Sequence, residues 1–327
     1  MNTGAHLHWG AQALWDSLSP LLPKLSIEVV SRVDSTNTRL LERARALSGQ
    51  PDAPVTRPGE LDALRLPESL ADRAPDRVPE RTPHGRRAAD VSASLLVAEE
   101  QTRGRGRLGR GWISHAGASL TFSLSMPLAP AQWGGLSLAV GLALAEALDP
   151  QPVGAALDDG VRPRIALKWP NDLWLWDGPA HGRKLGGVLI ETVSVGERRM
   201  CVVGVGLNVR PQPAGAPTGT LASGYACLEE LAAGASAPLA LAQVARPLVQ
   251  ALQRFESQGF APLLAAYARR DLLQGHRVSV ALPDALHGVA DGVDEQGALR
   301  LRLNDGGQAV QRIVSGEVSV RLAEAAP

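Results

Sequence analysis

The chain has 327 residues, 45% hydrophobic and 20% charged, the composition of a globular protein with room for one large and one small domain. Its 33 Lys and Arg residues balance 33 Asp and Glu residues, which argues against nucleic acid as the main partner, because such proteins carry a basic excess. Two cysteines, Cys201 and Cys227, show no metal-ligand or disulfide-framework spacing and fit a reducing cytoplasm; no signal peptide and no membrane-spanning apolar run is legible.

In chain order, residues 11–22 predict a short amphipathic helix stopped by Pro20 and Pro23, and "LSIEVVSRV" (25–33) alternates as a strand. "DSTN" (34–37) follows, with Asp34, Ser35 and Thr36 as N-cap candidates for a helix. Prolines then recur between 51 and 83 among Asp, Glu and Arg, so 49–90 is expected to be a flexible insertion without a core of its own. Order resumes with a strand at 92–102, an Arg/Gly loop, a strand at 118–128 and an apolar helix at 134–148. Four strand-like segments follow between 164 and 209, the last two flanking "VGER" as an antiparallel hairpin. Residues 238–268 read as helix, and five short strands from His276 onward suggest a small β-barrel. Strands gathered with flanking helices, without regular βαβ alternation, predict an α+β domain built on a mixed or antiparallel central sheet. The division expected is a helical lead-in at 1–24, a catalytic domain at 25–270 and a small β domain at 271–327.

Four segments carry chemistry. In "RGRGRLGRGW" (103–112) glycines let backbone approach a ligand closely, while Arg105 and Arg107 offer planar forks for phosphate or carboxylate oxygens. Trp112 lies beyond as a stacking surface; the competing reading is a solvated RGG-like loop. In "KWPND" (168–172), Lys168, Asn171 and Asp172 are polar residues in an aromatic run, fit either to hold Mg²⁺ or a ribose–phosphate unit, or simply to make an Asn-Asp turn. Lys184 is one of only three lysines in the chain; it heads a strand and precedes Gly186 and Gly187, where a ligand can press on the backbone and an ammonium can neutralise developing charge. "GVGLNV" (204–209) is neither a dinucleotide fingerprint nor a P-loop. No Ser/His/Asp or Cys/His grouping is legible.

Taken together and in order, "DSTN", "EEQTRGRGRLGRGW" (99–112), "KWPND", "KLGGVLIE" (184–191) and "GVGLNV" resemble the bacterial biotin protein ligases, over about residues 25–325 apart from 49–90. The resemblance implies a class II synthetase-like catalytic domain with an SH3-like C-terminal β-barrel. It implies an enzyme that joins biotin and ATP into biotinyl-5′-AMP, with Mg²⁺, and transfers biotin to one lysine of a biotin carboxyl carrier protein. It assigns biotin to Ser35, Thr36, Asn37, Gln101, Arg105, Gly106, Arg107, Lys184 and Gly186. ATP falls to Arg105, Arg107, Trp112, Lys168, Asn171 and Asn208. Lys184, Arg107 and Asp172 receive the catalytic roles, Asp172 also as the Mg²⁺ ligand and as a candidate to orient or accept the proton of the carrier lysine.

Family members that also act as repressors carry an N-terminal helix-turn-helix; the 24 residues before the first strand leave no room for one, so no operator DNA is expected as a partner. No membrane partner is expected, and a homodimer is left open. The rival readings are a lipoate ligase of the same fold, a nucleic-acid-binding protein using the Arg/Gly loop, and an inactive carrier-binding module.

Overall fold

A computed structural model describes residues 7–49, 52–63, 91–151, 163–178, 181–213, 224–281, 286–303, 310–314 and 319–322. Helix α1 (Ala11–Leu18) precedes strand β1 (Ser26–Val33), which runs into α2 (Thr36–Ser48). Ser35 caps α2 by accepting a hydrogen bond from the Thr38 N–H, and Gly49 closes it in the left-handed conformation. After α3 (Pro58–Ala63) come β2 (Ser94–Gln101), the two-residue strands β3 (Gly104–Arg105) and β4 (Gly111–Trp112), then β5 (Ser119–Pro127) and α4 (Leu136–Leu148). Strands β6 (Ile165–Lys168), β7 (Asp172–Gly178), β8 (His181–Val195) and β9 (Arg198–Asn208) complete a seven-stranded sheet in the order β1-β2-β5-β9-β8-β7-β6. Only β1 and β2 run parallel; the other neighbours are antiparallel. The mixed sheet expected from the sequence is therefore present, including the β8–β9 hairpin, whose register begins at Val195↔Arg198.

Strand alternation sends one set of side chains to each face. Leu120, Phe122 and Leu124 of β5 and Val203, Val205 and Leu207 of β9 form one core with α4 and α5 (Ala237–Gln258). On the other face Leu40, Leu41 and Ala44 of α2 pack on Leu96, Val193 and Val202. Cys201 is fully buried in the first core, its thiol pushed up to about 12 by burial, which suits packing and not nucleophilic chemistry.

Three expectations need correction. The helix expected over 238–268 is broken: α5 stops before Gly259, whose φ is 67°, and α6 (Leu264–Ala268) follows a 3₁₀ turn. The insertion is not detached throughout. Its first part is fastened to the sheet, with Thr56 bridging Thr192 on the edge of β8, Arg45 donating to the Ala53 carbonyl and Leu61 of α3 buried; residues 64–90 lie outside the described residues. At the C-terminus β10 (Arg277–Ala281), β11 (Leu286–Val293), β12 (Leu299–Leu303), β13 (Val310–Ile313) and β14 (Ser319–Leu322) form a sheet in the order β13-β12-β11-β10-β14. Among the described residues β13 and β14 stay at opposite edges, so the arrangement is an open antiparallel sheet of SH3-like kind and not a closed barrel. No described helix is long and apolar enough to cross a membrane.

Candidate active site

Because β1 and β2 are parallel, both end at the same edge of the sheet, and their pairing brings Val33 opposite Gln101. The "DSTN" turn and the start of the Arg/Gly loop are thus neighbours. The Thr102 and Arg103 N–H groups donate to the Val33 and Asp34 carbonyls, extending the pairing by one turn. Gln101 Oε1 accepts from the Thr36 backbone N–H at 2.8 Å and from its hydroxyl at 3.2 Å, and the hydroxyl oxygens of Thr36 and of Ser123 on β5 lie 2.7 Å apart. Ser35, Thr36 and Ser123 are all buried. Buried amide and hydroxyl groups gathered this way offer both donors and acceptors to a neutral polar ligand.

The Arg/Gly loop is an ordered hairpin. Gly104 pairs with Trp112 and Arg105 with Gly111, and the tip turns through Leu108 and Gly109, both at positive φ. The Gly106 N–H donates to the Arg110 carbonyl at 2.7 Å and closes the hairpin. Arg105 is held by a partner within the chain. Its guanidinium forks onto Glu191 of β8, at 2.7 Å and 3.2 Å; the Glu191 side chain is only 3% exposed, and a buried carboxylate requires such a partner.

Beneath the hairpin the sheet lacks side chains. Gly204 lies opposite Ser123, and Gly206 lies between Thr121 and Gly187, so three glycines make a trough across β9 and β8. A Cβ on Gly204 would collide with the Asn37 amide, and one on Gly206 would meet the Trp112 indole at 2.5 Å. Asn37, expected to touch biotin, is fully engaged: its Nδ2 donates to the Leu189 carbonyl and to Glu191, and its Oδ1 accepts from Ser123. These bonds tie α2 to β8 and β5. Trp112 lies half-buried over Gly206, and its indole N–H is buried without a hydrogen-bond partner, a donor left for an incoming acceptor.

At the third corner Lys184 Nζ sits 2.8 Å from Asp172 Oδ1. Gly187 stands beside both, since a Cβ there would lie 3.1 Å from Asp172 and 3.7 Å from Lys184. Arg107 feels this pair electrostatically: burial, and the charges of Arg57 and Arg110, lower its pKa to about 10, while Asp172 acts in the opposite sense. Asn171 is scaffold here, its Nδ2 donating to the Val188 carbonyl at 2.7 Å. Lys168 lies over the Trp174 ring, 4.8 Å from its centroid. Asn208 Nδ2 donates to the carbonyls of Lys184 and Ala226, fastening β9 to the segment beside Lys184. A Cβ on Gly186 would strike Gly206 and Leu207 of β9.

A polar pocket, a hairpin of cations over a glycine trough and a lysine–aspartate pair now stand within one sheet face. Residues 86–208 match the model of the biotin/lipoate A/B protein ligase family, and residues 275–321 match the biotin protein ligase C-terminal domain. The chain is 35% identical to the bifunctional ligase/repressor BirA of Escherichia coli over 237 residues, covering 71% of this chain and 68% of that protein. The chain belongs to the biotin protein ligase family. To the biotin--[acetyl-CoA-carboxylase] ligase of Mycobacterium tuberculosis it is 36% identical, covering 68% of this chain and 77% of the relative. The biotin protein ligase of Aquifex aeolicus, solved in complex with biotin and ATP, shares the fold with a TM-score of 0.61 at 24% identity, over 91% of this chain and 99% of that one.

Three contributors to this biotin protein ligase site had not been singled out from sequence. Glu191 binds both Arg105 and Asn37; its signal was a lone acid inside the apolar run "VLIETV". Ser123 belongs to a strand whose Ser and Thr alternate like a solvent-facing set, yet Thr121 and Ser123 are fully buried. Arg183 grips Asp177 and Glu230 and donates to the Tyr225 carbonyl, holding the chain segment that pairs with Lys184. Both acids sit below the usual carboxylate range, chiefly through their hydrogen bonds to Arg183.

Proposed function

We propose that this biotin protein ligase activates biotin with ATP to biotinyl-5′-AMP and then transfers biotin to one lysine of the biotin carboxyl carrier domain of acetyl-CoA carboxylase. The observation carrying this reading is the cluster of Lys184, Asp172 and Arg107 at the bare backbone of Gly187, beside the buried donors and acceptors of Thr36, Gln101 and Ser123.

The ureido ring of biotin belongs at the polar end, where Ser35, Thr36 and Gln101 supply paired donors and acceptors. Its carboxylate then reaches toward Lys184 and Arg107. A carboxylate oxygen attacks the α-phosphorus of ATP in line, and the bond from that phosphorus to the bridging oxygen breaks, so pyrophosphate leaves with the electron pair. Lys184 and Arg107 spread the charge that builds on the equatorial oxygens. No protein nucleophile is needed, in keeping with the absence of a triad in the sequence. Trp112, with its unpartnered indole N–H, is the adenine-side residue, and Lys168 lies on the phosphate side. Asn171 and Asn208 act through the backbone they hold.

Mg²⁺ carried by the triphosphate would take most of its shell from phosphate and water and would offset charge on the phosphate oxygens. Asp172, paired with Lys184 at 2.8 Å, is the carboxylate that would hold the ion on the protein side. In the second step the carrier lysine must be neutral to attack the mixed anhydride, and Asp172 is the group positioned to accept or orient that proton. The match to the biotin-type C-terminal domain favours biotin over lipoate.

The deciding experiment incubates the protein with ATP, Mg²⁺, a biotin carrier domain and either biotin or lipoate, and reads the mass of the carrier. A biotin adduct is expected; a lipoyl adduct alone overturns the substrate assignment. Lys184→Ala is expected to abolish biotin-dependent pyrophosphate release with an unchanged circular dichroism spectrum. Near-normal release from that variant would sink the mechanism.

A further inference from the structure

Lys184 reaches the face of Asp172 only through an irregularity of its strand. Leu185, Val188 and Ile190 of β8 all lie in the hydrophobic core, whereas strict alternation from Val188 would send Lys184 there and Leu185 to the opposite face. The pairing with β7 accounts for this: Leu173 lies opposite Gly186 and Trp174 opposite Lys184, so Leu185 is an extra residue, a β-bulge. The bulge returns Lys184 to the side of Gly187, where its Nζ meets the Asp172 carboxylate. The pairing of β8 with β9 ends beside it, at Gly186↔Leu207. Beyond that point residues 224–226 take the place of β9. The Lys184 N–H donates to the Gly224 carbonyl at 3.2 Å, and the Ala226 N–H donates to the Lys184 carbonyl at 3.0 Å.

Arg183 clasps this short segment. Its five guanidinium N–H groups are all spent: two on Asp177 at 2.6 Å and 3.0 Å, two on Glu230 at 2.7 Å and 3.2 Å, and one on the Tyr225 carbonyl at 2.9 Å. Glu230 in turn accepts from the Cys227 N–H at 3.0 Å. Gly224 lies against the Arg183 stem, where a Cβ would come within 2.7 Å of it. One guanidinium thus ties β7, β8 and the segment 224–230 together around the Lys184 backbone. It has no donor left for a substrate, and a lysine in its place could not fork onto both carboxylates.

We propose that Arg183, with Asp177 and Glu230, is a positioning residue for the activation of biotin: it holds residues 224–226 against the bulge and so fixes the Lys184 ammonium beside Gly187. The inference rests on the ligase reading above. Lys184 acts on charge that builds as the α-phosphorus is attacked, so a displaced ammonium costs rate more than ground-state binding. A misplacement of about 1 Å can cost about 100-fold.

Two measurements test this in wild type, Arg183→Gln, Arg183→Lys and Glu230→Gln. In biotin-dependent exchange of labelled pyrophosphate into ATP, Arg183→Gln is expected to lower kcat at least about tenfold, with the KM values for biotin and ATP near wild type. Arg183→Lys should recover part of the loss, and Glu230→Gln, which keeps an acceptor for the Cys227 N–H, should lower kcat less. The second readout uses the scarcity of lysine. With only Lys24, Lys168 and Lys184 in the chain, reductive methylation with carbon-13, which keeps the charge, gives three lysine signals, and that of Lys184 is the one lost in Lys184→Ala. It is expected to move in Arg183→Gln and in Glu230→Gln while that of Lys24 stays. An unchanged kcat in Arg183→Gln, or a Lys184 signal unmoved in both variants, overturns the proposal. So does a parallel rise of both KM values with a lower melting temperature, which marks a purely structural role. If wild type shows no exchange, the ligase reading fails, and the methyl signal still decides whether Arg183 places Lys184.

Discussion

The Arg105–Glu191 pair joins a surface hairpin to a buried strand position, so it decides whether the hairpin stays down. Glu191 is nearly inaccessible while the Arg105 side chain is 41% exposed. Removing the acid's charge therefore strands a cation that water can still reach, and the cost is discounted to about 1–2 kcal/mol relative to a fully buried pair. Glu191→Gln is expected to lower stability by that amount. It also replaces an acceptor with an amide that points a donor at either Arg105 or Asn37, both already donors toward it. The hairpin should loosen, seen as faster tryptic cleavage after Arg103–Arg110 and faster escape of preformed biotinyl-5′-AMP. A variant with wild-type cleavage and escape rates would show that Arg105 does not latch the hairpin.

Among elements, the glycine trough is the feature that makes β9 a floor for the site. Gly206→Ala introduces a methyl group where the Trp112 indole lies, an overpacking of the kind that costs about 1–3 kcal/mol. It is expected to raise the KM for ATP while leaving that for biotin near wild type, because the ring over Gly206 is on the adenine side; an equal rise for both would place Trp112 elsewhere. What the sequence made legible divides along the same line. Periodicity revealed nearly every strand and the β8–β9 hairpin, because alternation is a local property. Of the three catalytic residues the resemblance assigns, Lys184 and Asp172 stand 2.8 Å apart, and Asp172 is among the charges felt by Arg107. Which side chain or strand each glycine faces depends on register, so the contacts of Gly186 with β9, of Gly204 with Asn37 and of Gly206 with Trp112 were not legible. Arg105, Asn37 and Asn171 had their polar atoms taken by partners far away in sequence, 86, 154 and 17 residues off. No local pattern carries that information.

At the scale of the molecule, the C-terminal sheet and the catalytic sheet share one hydrophobic core, with Val278, Val280, Leu299 and Leu301 in the same cluster as Leu136 and Trp169. The junction contains Asp271, which bridges Leu167 of β6. Burial raises its pKa from 3.8 to about 6. A carboxyl whose folded pKa lies above its unfolded value adds stability below about pH 4 and loses it as pH rises through about 6. The shift corresponds to roughly 3 kcal/mol by linkage. Wild type should therefore lose stability between about pH 4 and 7 relative to Asp271→Asn, read as the pH dependence of the difference in urea midpoints; a pH-independent difference would show that Asp271 does not titrate in this range.

The same junction determines how the two sheets unfold. Trp169, immediately before the Pro170-Asn171-Asp172 turn, donates its indole N–H to the Gly297 carbonyl at 3.0 Å. Gly297 sits at the β11–β12 turn with φ 73°, pressed against the Gly135 backbone at the start of α4. A side chain there is opposed twice, by the positive φ and by backbone that cannot move aside. Gly297→Val is expected to cost at least about 2 kcal/mol and to split one unfolding transition into two as the C-terminal sheet undocks. Because Trp169 loses its acceptor in the same step, the turn carrying Asp172 loosens as well, and biotin-dependent pyrophosphate release should fall although the substituted residue touches neither substrate. A variant that unfolds in one transition at the wild-type midpoint would show that the two sheets are not coupled through this contact.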